Sequence, residues 1–114
     1  MALAHEIQNL LTSKNIRGMR KVSKFVPKGS YLRAAELLKN NNKVVFIGTG
    51  FPVNESFETD GPLGAIALYN CIKELGGEAF IVCDEPLFTA INDKFNTIKI
   101  EHGKDSSKAL ISYF

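Results

Sequence analysis

The run Val44-Val45-Phe46-Ile47 is uninterrupted by any polar residue, and Gly48-Thr49-Gly50 follows it at once. A β-branched and aromatic run without alternation reads as a strand buried on both faces, the kind that belongs to a parallel sheet. A second such run, Ala79-Phe80-Ile81-Val82-Cys83, comes after a helical stretch. Between them Gly61 and Pro62 open a helix whose Leu63, Ile66, Ala67, Cys71 and Leu75 form the expected apolar face, and Gly76-Gly77 supplies the stop. Two parallel strands joined through a helix make a βαβ crossover, which places any ligand at the carboxyl ends of the strands.

The unit repeats. Asp84 reads as the cap and Pro86 as an early residue of a helix with Leu87, Phe88, Ile91 and Phe95 inward, and Thr97-Ile98-Lys99-Ile100 alternates like a third, more exposed strand. Upstream, Leu3, Ile7, Leu10 and Leu11 have helical spacing up to Thr12 and Ser13. After the turn Pro27-Lys28-Gly29, Ser30 is placed to cap a helix carrying Leu32, Ala35 and Leu38, stopped by Asn40, Asn41 and Asn42. The expected fold is therefore α/β, a three-layer sandwich with a mainly parallel sheet built from βαβ units and preceded by two helices. The C-terminal stretch leaves two readings: Ser106 and Ser107 capping a helix through Ile111, or Ala109 to Phe114 as a fourth strand. At 114 residues, one domain covering 1–114 is the expectation.

Fourteen basic residues against twelve acidic ones produce no global field for a polyanion. The local stripe of Lys14, Arg17, Arg20, Lys21, Lys24 and Lys28 reads as a solvated loop or a partner surface rather than a nucleic-acid interface. Cys71 and Cys83 are expected to be buried thiols rather than a disulfide or metal pair, His5 and His102 to be surface residues, and no apolar run approaches the roughly 20 residues of a membrane span. With no basic-then-apolar leader at the start, the expected location is the cytoplasm, with no membrane partner.

The loop from Gly48 to Asp60 is longer than a strand-to-helix connection needs, which marks it as the site. It is neither a dinucleotide fingerprint, since Val53 stands where the third glycine would be, nor a phosphate loop. Glu58-Thr59-Asp60-Gly61-Pro62-Leu63-Gly64 sets two carboxylates and a hydroxyl at a helix start. Asp60 could cap that helix or act catalytically. Capping requires neither Glu58 nor Gly64, a glycine that costs about 1 kcal/mol of helix propensity relative to alanine and so suggests close approach of a ligand or another backbone. Two carboxylates in a partly desolvated loop can divide into acid and base, or together hold a divalent cation. Asp84 would reach the same rim.

Thr49-Gly50-Phe51, then Glu58-Thr59-Asp60-Gly61-Pro62 and Gly64-Ala65, with Leu75-Gly76 leading into the strand that ends at Cys83-Asp84, resemble the D-glutamate cyclase family. Arg17-Gly18 sits where that family often has an Arg-Gly pair. The resemblance covers what looks like the family's N-terminal half, so it implies the N-terminal part of a longer domain, with an apolar end at Ala109 to Phe114 that could pair with a second copy through an exposed sheet edge. It implies a hydro-lyase converting D-glutamate to 5-oxo-D-proline and water, incomplete or inactive in this short chain; the alternative is a non-catalytic carboxylate- or anion-binding or interaction module. Under the resemblance Glu58 and Asp60 are the catalytic candidates. Gly48, Thr49, Gly50, Phe51, Thr59, Gly61, Pro62, Gly64 and Asp84 are the substrate-binding ones.

Overall fold

In the computed structural model, residues 2–14, 16–101 and 103–113 are described. The expectations for His102 and for Phe114 lie outside them. The chain divides into two compact units, Met1–Asn41 and Asn42–Phe114.

The first unit is helical. Helix α1 spans Ala2–Ser13, a 3₁₀ turn covers Ile16–Gly18, α2 is the short Met19–Val22, and α3 is Ser30–Asn40. The short α2 adds a helix to the two expected. No residue of α1, α2 or α3 is buried. In α1 the expected packing residues Leu3, Leu10 and Leu11 are exposed, whereas Ala4, Ile7, Gln8 and Thr12 are half-buried and the Gln8 carboxamide accepts the Tyr31 backbone N–H at 3.3 Å. Leu32 and Leu38 of α3 are half-buried as expected, but Ala35 is exposed. Ser30 does not cap: Gly29 takes the N-cap position with φ 77°, a left-handed conformation open to glycine, which leaves the Ser30 hydroxyl donating to the Pro27 carbonyl at 2.8 Å. The Asn41 carboxamide donates to the Leu37 carbonyl at 2.8 Å, closing α3 where the asparagine run stops it.

The second unit is mixed α/β. Strands β1 (Val44–Gly48), β4 (Glu78–Cys83) and β5 (Thr97–Lys99) form a parallel sheet in the order β1-β4-β5. A small antiparallel pair, β2 (Pro52–Val53) and β3 (Ser56–Phe57), lies in the loop after β1. Helix α4 is Asp60–Glu74, α5 is Leu87–Ile91 and α6 is Ser107–Ile111. Of the two C-terminal readings, the helix is the one formed. Its first turn is held by the Asp105 carboxylate accepting the Ser107 N–H at 2.9 Å, rather than by either serine side chain.

Register puts Val45 and Ile47 beside Ala79 and Ile81 on one face of the sheet. Ile81 and Cys83 pack there with Leu87 and Ile91 of α5, joined by Phe57, Ile66, Tyr69, Phe88 and Phe95, and this is the core. On the other face Phe46, Phe80 and Tyr113 cluster, with ring centroids 4.9 Å to 6.2 Å apart. The central strand β4 meets the expectation of burial. Strand β1 meets it only at Ile47, because it has one hydrogen-bonded neighbour in the sheet and its other edge ends there.

Helix α4 buries a face that shares only Ile66 with the one expected. Pro62, Ala65 and Ile72 are buried and Ile66 and Tyr69 half-buried, while Leu63, Ala67, Cys71 and Leu75 are exposed. At about 100° per residue the two stripes lie on nearly opposite sides of the helix. Both are apolar, so spacing alone could not choose between them. Cys71 is accordingly an exposed thiol, whereas Cys83 is buried. The C-terminal stop is as expected: Gly76, at φ 83°, donates its N–H to Lys73 and Gly77 donates to Ile72, each at 3.0 Å, the paired bonds of a left-handed helix terminus. Among the described residues no helix is long and apolar enough to cross a membrane.

Candidate functional site

The chain leaves β1 through Gly48, and the Thr49 N–H donates to the Val82 carbonyl at 3.1 Å, which ties the start of the loop to the central strand. Gly50 follows with φ 86°, and a Cβ there would stand 2.6 Å from Leu87 Cδ2 and 3.5 Å from Cys83 Cβ. The turn therefore presses backbone against the core, which only glycine allows. From Phe51 the loop runs out and back as β2 and β3 around Asn54, itself at φ 54°, and returns so that the Glu58 N–H donates to the Phe51 carbonyl at 3.1 Å. The length of the loop is thus a hairpin. The alternation of Pro52-Val53 and Ser56-Phe57 about an asparagine that tolerates positive φ was the sequence signal for it.

The hairpin brings the two motifs together. Glu58 is joined to Phe51 through the backbone, and a Cβ on Gly61 would come 3.0 Å from Thr49 Oγ1, so the Thr49 side chain rests against the first turn of α4. At the carboxyl ends of the strands lies an open cavity of about 240 Å³, lined by Gly48, Thr49, Gly50, Phe51, Pro52, Val82, Asp84 and Ile100. Of the substrate-binding candidates, Gly48, Thr49, Gly50, Phe51 and Asp84 line it. Thr59, Gly61, Pro62 and Gly64 do not, and Pro62 is buried in the packing of α4. Pro52, Val82 and Ile100 were not singled out from the sequence. Val82 and Ile100 could have been, since each stands at the carboxyl end of a strand run.

Glu58 and Asp60 are exposed and outside the cavity lining. Asp60 is the first residue of α4, one past the Thr59 N-cap position, and its Oδ1 accepts the N–H of the adjacent Gly61 at 3.1 Å rather than an amide two or three residues on, as a capping side chain does. Among the described residues no three His, Cys, Asp or Glu side chains come together as a metal site. A cation held by Glu58 and Asp60 would have to complete its shell from water and substrate.

Asp84 does not cap α5 through its side chain. The N-cap position falls to Pro86, and the Glu85 carboxylate accepts the Thr89 N–H at 3.3 Å instead. Glu85 also pairs with Lys99 at 3.0 Å, and these two bonds, Lys99 first, hold its carboxyl below the usual range. Asp84 contributes its carbonyl, which accepts the Phe88 N–H at 2.9 Å, and is a half-buried residue of the cavity lining. Burial, reinforced by the negative charges of Asp84 and Glu85, pushes the Cys83 thiol up to about 11, so at neutral pH it is a protonated packing group and no nucleophile.

A family model described as D-glutamate cyclase-like, C-terminal, matches residues 7–110. No curated protein and no solved structure matches. The matched region corrects one expectation, since it is the C-terminal domain of that family and not its N-terminal half.

Proposed function

From the premise that the chain belongs to the D-glutamate cyclase-like family, as its C-terminal domain, we propose that it is a hydro-lyase closing D-glutamate to 5-oxo-D-proline with loss of water. The observation that carries this reading is the cavity at the strand carboxyl ends, lined by Gly48 to Phe51 and Asp84, with Glu58 tied to it by its backbone bond to Phe51. In the reaction the substrate ammonium gives up one proton, the neutral amine attacks the side-chain carboxyl carbon and loses a second as the amide forms, and the two protons are returned to the departing oxygen, which leaves as water. Holding the extended substrate in a bent, near-attack form is the largest contribution such a site can make. The Thr49 hydroxyl and the backbone of Gly48 and Gly50 hold a substrate carboxylate. Phe51 shapes the cavity wall, and Glu58 and Asp60 move the protons.

Incubating the purified chain with D-glutamate and following 5-oxoproline tests the proposal, and no turnover with or without added divalent metal would sink it. If the two carboxylates transfer protons, Glu58→Gln and Asp60→Asn each lower kcat by about 100-fold or more. A second reading, a carboxylate-binding module without catalysis, is favoured by the exposure of both carboxylates outside the cavity. Under it, calorimetry gives saturable binding of D-glutamate, 5-oxoproline or phosphate, and no product accumulates.

A further inference from the structure

We infer that Asp84 is the ammonium-binding group of the cavity, and that it makes the site selective for amino dicarboxylates over dicarboxylates of the same length that lack an amine. The inference rests on the reading that the cavity receives D-glutamate. Among the described residues lining the cavity, Asp84 is the one that carries a charge. The other lining groups suit the rest of such a ligand. Gly48 and Gly50 offer backbone and Thr49 a hydroxyl to a carboxylate, while Val82, Pro52 and Ile100 offer apolar surface to a methylene chain.

Asp84 is also held where a fixed charge is of use. It follows directly on Cys83, the fully buried end of the central strand, and its own carbonyl is engaged by the Phe88 N–H. The walls on either side are tied to the same strand end, Thr49 N–H to the Val82 carbonyl and Ile100 N–H to the Cys83 carbonyl at 3.0 Å. Its carboxylate is not spent on capping, because Glu85 serves the first turn of α5. A carboxylate on a half-buried, backbone-anchored residue attracts an ammonium and repels a second anion, so a ligand with two carboxylates is accepted in proportion to the cation it brings.

The test is calorimetric binding of D-glutamate and of glutarate, which differ in the ammonium, to the full chain and to Asp84→Asn and Asp84→Glu. The expected result is that the unmodified chain prefers D-glutamate by about tenfold or more, a charge-assisted hydrogen bond's worth. Asp84→Asn brings the ratio to about one while still binding glutarate, and that retained binding shows that the pocket is formed. Asp84→Glu keeps a preference for D-glutamate, and if Asp84→Asn binds neither ligand the Asp84→Glu ratio decides the matter, a loss of preference counting against the inference. A preference that Asp84→Asn leaves unchanged overturns the role of Asp84 but leaves the D-glutamate site standing. Failure of the unmodified chain to bind either ligand overturns both.

Discussion

Gly50 and Gly64 are both glycines of the family-like motifs, but they answer to different constraints. Gly50 has φ 86° and no room for a Cβ beside Leu87, whereas a Cβ on Gly64 would meet nothing within 4 Å. Gly50→Ala is therefore expected to cost about 2 kcal/mol or more, from left-handed strain plus the clash. Gly64→Ala, on an exposed position of α4, is expected to stabilise by about 1 kcal/mol. Urea denaturation measures both, and a Gly64→Ala chain that is more stable yet binds D-glutamate less well would show that the glycine serves ligand approach. Cys83 gives a pH dependence whose sign follows from its raised pKa. Below about 9 both folded and unfolded chains keep the thiol proton; between 9 and 11 the unfolded chain loses it and the folded one does not, so rising pH favours unfolding. The loss by pH 11 is on the order of 2–3 kcal/mol. It is read as the difference between the chain and Cys83→Ala, whose stability should lack that part of the decline between pH 9 and 11.

At the scale of elements, what could be read from the sequence was what local chemistry decides alone. The parallel strands, the left-handed stop at Gly76 and the long loop after β1 all follow from runs and punctuation, and they are present. What could not be read was the choice between two equally apolar sides of α4, because a helix with Leu63, Ala67 and Cys71 on one side and Pro62, Ala65 and Ile72 on the other has no unique period. Only the sheet it lies on settles that. The caps at Ser30 and Asp84 failed for a related reason. A neighbour one or two residues away, Gly29 in the first case and Glu85 in the second, took the position or the bond. The candidate site was legible as a place but not as a shape, since the one signal for the β2–β3 hairpin that joins Glu58 to Phe51 is the short two-residue turn at Asn54 and Glu55. The facing of α4 has a direct consequence for stability. Ile72 is 0% exposed and Leu63 is 71% exposed. Ile72→Ala is expected to cost about 2–5 kcal/mol and Leu63→Ala less than about 0.5 kcal/mol, a contrast that thermal or urea unfolding measures. The reverse order would return α4 to the face expected from its sequence.

Across the whole molecule the hydrophobic core is unevenly distributed. Every buried apolar residue described, from Ile47 to Ile98, lies in the unit Asn42–Phe114, and none lies in Met1–Asn41. A helix of 11 or 12 residues, the lengths of α3 and α1, is marginal in water unless tertiary packing supports it. The second unit has what the first lacks: a parallel sheet, two crossover helices and a contiguous cluster about Ile81 and Leu87. It is nonetheless small, and a core of that size supplies no more than about 3–5 kcal/mol. Residues 42–114 expressed alone are therefore expected to melt cooperatively, with modest stability and with the cavity formed. Residues 1–41 alone are expected to give weak helical circular dichroism with no cooperative transition. Binding of D-glutamate should follow residues 42–114, because every residue lining the cavity belongs to that unit. A cooperative transition in the first fragment, or its absence in the second, would mean that the buried cluster is not what holds the chain folded.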